Sequence, residues 1–296
     1  MYRMLVVDID GTLIGASRRV TPRVRNAVRS ALASGVLVTL ATGRWFHSAQ
    51  PIAADLGIEL PIILHNGALV KDSLTGEILD HCHLPSDLAL GAIEIICRHG
   101  LQPMVYENAF AGEWLLTGPA DLDTPSAARY LATKERLRRV PLEELLAEGE
   151  PLEVVVTETA ERADPLIAEL ERGRWRTVTS MSLAVPEARF VEILSPRCSK
   201  TNAIRHLGGR FGIGLDQVMV VGDNFNDLDM IEAAGLGVAM ANAPSAVRSR
   251  ARWVAPDVEA DGLAVAIERF LLGGEPARLG GATGRSAPAG AGGLSG

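Results

Sequence analysis

Short apolar runs alternate along the chain with stretches of helical periodicity, and the runs tend to end in polar clusters. Residues 4–7 are apolar and partly β-branched, the pattern of a buried strand, and Asp8-Ile9-Asp10-Gly11-Thr12 follows at once. Thr21-Pro22 then opens a helix, because Thr caps well and Pro suits the first helical position. Val24, Ala27, Val28, Ala31 and Leu32 fall on one face of it, and Gly35 is its stop. Residues 36–40 predict a second buried strand ending in Thr42-Gly43-Arg44. A helix interrupted at Pro51 leads to Gly57, and residues 61–64 predict a third strand before His65-Asn66-Gly67. Strand, helix, strand in this order is the unit of a parallel sheet.

The texture changes near Asp80. Segments 101–106, 113–117, 152–157, 175–184 and 189–194 read as strands, and 86–99, 126–138 and 161–172 as helices. Strands in such close succession suit an antiparallel α+β unit. The charge run from Glu135 to Arg139 reads as a solvated helix face. The parallel pattern then returns. A helix starts at Ser199, residues 217–221 form a strand ending in Gly222-Asp223-Asn224-Phe225-Asn226-Asp227, and residues 228–234 are helical up to Gly235. Residues 237–240 make a strand ending in Ala241-Asn242-Ala243, residues 252–255 a last short one, and residues 263–272 a closing amphipathic helix. The expected fold is α/β: a Rossmann-like parallel-sheet core from residues 1–81 and 192–272, with an α+β domain inserted at 82–191. Residues 273–296 are almost all Gly, Ala, Pro, Ser and Arg, and are expected to be a disordered tail.

At 296 residues, 47% hydrophobic and 22% charged, the chain has ordinary globular composition and length enough for two domains. A formal net charge of −7 argues against nucleic acid or an anionic membrane as partner. Cys82, Cys97 and Cys198 match neither a zinc spacing nor a disulfide framework. No apolar run reaches membrane-span length and the start lacks a signal-peptide pattern, so the expected location is the cytoplasm.

Ligands of open parallel sheets bind beyond the carboxyl ends of the strands, so clusters far apart in sequence converge on one site. Asp8, Asp10, Asp223 and Asp227 are hard oxygen donors of the kind Mg²⁺ prefers. Two carboxylates at i and i+2 after a buried strand suggest a shared cation, since an unpaired buried charge is costly. Thr42 and Gly43 offer a hydroxyl and an approachable N–H, and Lys200 a positive charge at a helix start. No His-Cys cluster supplies a softer metal site. His47 and His65 read as structural.

Together these residues resemble the haloacid dehalogenase superfamily. Asp8-Ile-Asp-Gly-Thr-Leu13 is similar to its first motif, Thr42-Gly43-Arg44 to the second, Lys200 to the third and Gly222-Asp-Asn-Phe-Asn-Asp227 to the fourth. Val238-Ala-Met-Ala-Asn-Ala243 resembles a further segment, with Ala241 where Gly is common. An insert between the second and third motifs is the arrangement of the Cof-type subfamily, whose cap sets specificity. The resemblance implies a Mg²⁺-dependent phosphatase acting on a small phosphorylated metabolite. It implies Asp8 as the nucleophile that forms an aspartyl-phosphate and Asp10 as general acid and base. Asp8, the Asp10 carbonyl and Asp223 would ligate Mg²⁺, with Asp227 ligating through water or orienting the others. Thr42, Gly43, Lys200 and Asn226 would hold the phosphoryl oxygens.

Rival readings differ in what they require. A phosphomutase or phosphotransferase of this superfamily inserts its cap after the first motif, where only residues 15–20 are available here. A non-catalytic phosphosugar-binding regulatory protein would have lost Asp8, Asp10 or Asp223. A dehalogenase needs no metal and has no use for the full acidic set.

Overall fold

The computed structural model describes residues 2–181, 185 and 187–273, so the expected tail beyond residue 273 and the end of the strand expected at 175–184 lie outside the described residues. The chain begins with β1 (Met4–Val7), α1 (Pro22–Ala33), β2 (Leu37–Leu40), α2 (Phe46–Leu56) and the short strands β3 (Ile62–Leu64), β4 (Leu69–Lys71) and β5 (Ile78–His81). Next come α3 (Ser86–Arg98), β6 (Met104–Tyr106), β7 (Leu115–Thr117), α4 (Pro125–Leu131), β8 (Leu137–Arg139), β9 (Glu153–Thr159), α5 (Ala160–Leu170), β10 (Arg176–Met181) and β11 (Ala188–Leu194). It closes with α6 (Lys200–Gly209), β12 (Val218–Gly222), α7 (Leu228–Ala233), β13 (Leu236–Met240), α8 (Ser245–Arg248), β14 (Trp253–Ala255) and α9 (Gly262–Phe270).

The apolar runs of β1, β2, β12, β13 and β14 form one parallel sheet in the order β14-β13-β12-β1-β2. Successive side chains of a strand point to opposite faces. Leu5, Val7, Val38, Leu40, Met219 and Val221 therefore pack with α1, α2 and α9, whereas Met4, Val6, Val218 and Val220 pack with α6, α7 and α8. Both faces are covered, which explains unbroken hydrophobic runs in place of alternation. Thr21 caps α1 as its sequence requires, accepting the Val24 N–H at 3.2 Å. In register, Val7 lies beside Leu40 and Val221, so Asp8, the Ala41-Thr42 turn and Asp223 leave the sheet at one edge.

A second sheet, ordered β10-β11-β9-β6-β7-β8, is antiparallel except between β7 and β8. One of its faces carries Val105, Leu116, Val154, Val156, Val191 and Ile193 and packs on α3 and α5. The other, with Met104, Tyr106, Val155, Val178 and Leu194, joins the apolar cluster of the core. This face looks onto the strand ends.

Three elements depart from the sequence reading. The expected helix over 126–138 stops at Leu131, and residues 137–139 form edge strand β8 instead. β8 pairs parallel with β7, and Arg136 and Arg138 lie over the Trp114 ring. Charged residues suit an edge that must not recruit another strand. The third strand joins the parallel sheet only by an isolated bridge between Ala41 and Ile63, and otherwise pairs antiparallel with β4 in the small sheet β3-β4-β5. Pro61 lacks the N–H that a longer ladder needs. Helix α2 runs through Pro51 without interruption. Cys82, Cys97 and Cys198 are all free thiols. No helix among the described residues is long and apolar enough to cross a membrane.

Candidate active site

Lys200 is the centre of the strand-end cluster. Ser199 caps α6 by accepting the Asn202 N–H, which sets Lys200 at the first helical position and leads its side chain under the sheet edge. Its Nζ donates to Asp8 Oδ1 at 2.7 Å, to Asp227 Oδ1 at 2.6 Å and to the Ala41 carbonyl at 2.8 Å, so all three protons are used. Lys200 and Asp227 are both 0% exposed. Burial by itself would lower the lysine pKa. The charges of Asp227 and Asp8 outweigh it and raise it above the usual range.

The carboxylates divide by how they are held. Asp227 commits both oxygens: Oδ1 to Lys200, and Oδ2 to the N–H groups of Asp223 at 2.9 Å and Asn224 at 3.0 Å. Asp8 commits Oδ1 to Lys200. Asp223 accepts from the Thr12 hydroxyl at 3.1 Å and from Asn242 Nδ2 at 3.3 Å. One carboxylate oxygen from each of Asp8, Asp223 and Asp227 lies within 4.8 Å of the others. Burial, and next the charge of Asp227, pushes Asp8 up to about 7. Burial, and next the charge of Asp8, pushes Asp223 up to about 9. Carboxylates so crowded are stable as anions only with a further positive charge beside them, and three hard oxygen donors suit Mg²⁺.

The turn after β1 makes the cluster possible. Gly11 has φ +82°, and a β-carbon there would come 2.2 Å from Asp223 Oδ2, so only glycine fits. Asn242 ties the same turn down by donating to the Gly11 carbonyl at 2.8 Å. Asp10 points elsewhere: its two oxygens accept from Arg44 Nε and Nη2, both at 2.6 Å, in a partly exposed bidentate pair.

Thr42 is buried, and its hydroxyl accepts the Arg44 N–H at 3.1 Å. Gly43 lies against Asn66, whose Nδ2 a β-carbon at 43 would approach to 3.3 Å. Asn226 Nδ2 donates to Asn66 Oδ1 at 3.0 Å, and so Asn226 borders Gly43 through Asn66. The structure thus brings Asp8, Asp223, Asp227 and Lys200 into direct contact or a shared cluster. Asp10, Thr42, Gly43 and Asn226 lie on the adjoining loops.

The sequence reading missed what faces these loops from the second sheet. His65 Nδ1 and Glu153 Oε1 are 2.8 Å apart, and Asn66 Nδ2 donates to Glu192 Oε1 at 2.6 Å. All four residues are buried. Burial holds His65 down at about 4 and pushes Glu153 up to about 8. Burial, and next Glu153, raises Glu192 well above the carboxylate range. Burial thus favours the protonated form of both glutamates and the neutral imidazole, and a single proton lies between His65 Nδ1 and Glu153 Oε1. Tyr106 and Tyr130 share a 2.7 Å hydroxyl bond beside them, and the Tyr106 ring meets Trp45 edge-on. Lys134, above the Tyr130 ring, is lowered to about 8 by burial and next by the charge of Arg44. The available signal was a carboxylate on an otherwise apolar strand face, as Glu192 is beside Ala188, Phe190 and Leu194 of β11.

A doubly wound parallel core, acidic groups around a buried lysine at its carboxyl edge and a second sheet inserted above them define a Rossmann-like α/β protein with a cap. The chain belongs to the haloacid dehalogenase-like hydrolase family, whose family model matches residues 5–267. It is 31% identical over 288 residues to the YxeH protein of Bacillus subtilis, covering 92% of this chain and 99% of that one. It is 27% identical over 273 residues to the pyridoxal phosphate phosphatase YbhA of Escherichia coli, covering 91% and 99%. Among solved structures, a haloacid dehalogenase-like hydrolase from Bacteroides thetaiotaomicron superposes with a TM-score of 0.73 at 24% identity, covering 91% and 100%. A sugar phosphatase of subclass IIB superposes with 0.74 at 22%, covering 90% and 98%. The last two likenesses concern the fold.

Proposed function

We propose that this protein is a Mg²⁺-dependent phosphatase that hydrolyses a small phosphomonoester through an aspartyl-phosphate on Asp8. The observation that carries the reading is the Lys200 ammonium, fully buried and shared by Asp8 and Asp227, beside a third carboxylate at the sheet edge. A buried lysine with all three donors fixed holds Asp8 Oδ1 in place and leaves Oδ2 to attack phosphorus. Covalent attack splits one hard displacement into two steps. Asp10 protonates the leaving oxygen and then takes a proton from the water that cleaves the acyl phosphate. In the structure both Asp10 oxygens accept from Arg44, so Asp10 acts as the acid once that pair has parted. Thr42, Gly43 and Asn226 receive the phosphoryl oxygens, and Lys200, its three protons committed, adds its positive charge beside them.

Asp8, the Asp10 carbonyl and Asp223 would hold Mg²⁺, and Asp227, whose oxygens are already engaged, anchors Lys200 and the loop after β12. The metal supplies charge that offsets repulsion between carboxylate and phosphate. The segment from 82 to 191 acts as the cap that selects the leaving group. That relatives carry phosphatase names, one of them for pyridoxal phosphate, supports a metabolite-sized substrate. The test is a panel of sugar phosphates, pyridoxal phosphate and other phosphomonoesters with Mg²⁺, measuring released phosphate. Release that stops in EDTA and returns with Mg²⁺ is expected. No release across the panel, or full turnover after the metal is stripped, would overturn the reading.

A further inference from the structure

Asn226, Asn66 and Glu192 form one hydrogen-bonded line from the loop after β12 to the last strand of the second sheet. Asn226 Nδ2 donates to Asn66 Oδ1 at 3.0 Å, and Asn66 Nδ2 donates to Glu192 Oε1 at 2.6 Å. Asn66 and Glu192 are each 2% exposed, so water does not compete for these bonds. Asn66 itself cannot drift. It has φ +52°, and the following Gly67, at φ +98°, packs so closely on α6 that a β-carbon would meet the Ser199 carbonyl at 2.3 Å. Gly43 lies against the same pair, its hypothetical β-carbon 3.3 Å from Asn66 Nδ2 and 3.4 Å from Glu192 Oε1.

We propose that Glu192 is a positioning residue for the phosphate site, acting through Asn66 to fix the side-chain amide of Asn226. The proposal rests on the reading of Asn226 as a phosphate-holding group. A side-chain amide has a donor end and an acceptor end of nearly equal shape, so nothing in its own geometry says which way it points. Glu192 presents an acceptor oxygen, which draws Asn66 Nδ2. Asn66 Oδ1 is then turned toward Asn226, and only the donor end of Asn226 can answer it. The second hydrogen on Asn226 Nδ2 is left for an anionic oxygen, the polarity a phosphoryl group requires. Because Glu192 belongs to β11, the line is complete only while that strand is docked on the loop after β3. A change at Glu192 therefore alters phosphate binding without touching the phosphate.

Inorganic phosphate is the probe, measured as a competitive inhibitor of p-nitrophenyl phosphate hydrolysis with Mg²⁺, with melting temperatures recorded for each variant. Glu192→Leu is expected to raise the phosphate inhibition constant about tenfold, the order of one buried hydrogen bond. Glu192→Gln, which keeps an acceptor oxygen, should raise it only a few fold. In an Asn226→Ala background neither substitution should weaken phosphate further, since residues acting in series are not additive. An undiminished loss in that background would overturn the proposal. Should Glu192→Leu fail to fold, the smaller loss in Glu192→Gln and its disappearance beside Asn226→Ala decide the matter in the same way. Asn226→Ala leaving phosphate inhibition unchanged would overturn instead the reading of Asn226 as a phosphate holder. Weakening by Asn226→Ala with none by Glu192→Leu would overturn the positioning role alone.

Discussion

Buried carboxyl groups meet at the candidate site from two sides, and the two sides solve the cost of burial differently. On the core side Asp8 and Asp227 share the ammonium of Lys200, and Asp227 also accepts two backbone N–H groups. On the side of the second sheet no lysine or arginine among the described residues hydrogen-bonds to Glu153 or Glu192; their partners are His65 and Asn66. Burial raises both glutamates, which favours their protonated forms. A buried charge needs a partner and a buried acid can simply keep its proton. The buried ion pairs are thus on the side where, on the proposed mechanism, phosphorus is attacked. The opposite side offers hydrogen-bonding groups and the Lys134 ammonium, suited to orienting a leaving group without repelling its phosphate.

The largest effects are expected where that charge is spent. Asp8→Asn should abolish turnover with the fold intact, because the amide is nearly isosteric and does not attack phosphorus. Asp10→Asn should still bind substrate. It should lose about 10²–10⁴-fold, the usual worth of general acid–base help. The loss should be smaller with p-nitrophenyl phosphate, whose leaving group needs little protonation, than with an alkyl phosphate. Steady-state rates on the two substrates check this. Equal losses on both would assign Asp10 to holding Arg44 alone, and substantial activity in Asp8→Asn would remove the covalent step.

The comparison sharpens with stability. Lys200→Met leaves two buried carboxylates without their cation, and breaking a buried pair typically costs about 3–5 kcal/mol. Urea unfolding of the metal-free protein should show a loss in that range. A loss no greater than that of Glu153→Gln would mean that the core side is not held by charge.

How much of this was legible in the sequence follows the same division. Residues 4–7 and 218–222 are unbroken apolar runs, and the carboxylates that follow them stand out because nothing local accounts for them. The parallel core and its acidic cluster were therefore readable. β8 was not, because nothing in Leu-Arg-Arg distinguishes a strand from a helix face. Only pairing with β7 decides it. β4 and β5 are three and four residues long and were passed over for the same reason. Asn66 was visible as part of a strand-end cluster but had no role, since its partner Glu192 is 126 residues further on. A lone carboxylate in a strand becomes informative only when the fold shows which face it is on and what lies opposite.

The smallest expected effect tests the neutral side directly. Glu153 is raised from 4.5 to about 8, so between those values the native protein holds a proton that the unfolded chain has released. Its contribution to stability is full below about 4.5 and is lost as pH rises through 8. His65, lowered from 6.5 to about 4, runs the other way: its contribution is present above 6.5 and is lost as pH falls toward 4. Between 6.5 and 8 the imidazole is neutral in the fold and in the unfolded chain loses only the half proton left at 6.5, so of this pair the glutamate is the larger titrating group. Stability should fall with rising pH there, with a slope from Glu153 approaching about 1.4 kcal/mol per pH unit. Glu153→Gln keeps the shape and removes the titration. Other groups, Asp8 and Asp223 among them, change protonation over the same range, so the quantity to read is the difference between the two proteins. Urea unfolding at pH 6.5, 7.25 and 8 should show the variant's stability falling less steeply than the parent's. Parallel lines would mean that Glu153 is already ionised in the fold, and that the second sheet, like the core, meets the candidate site with charge.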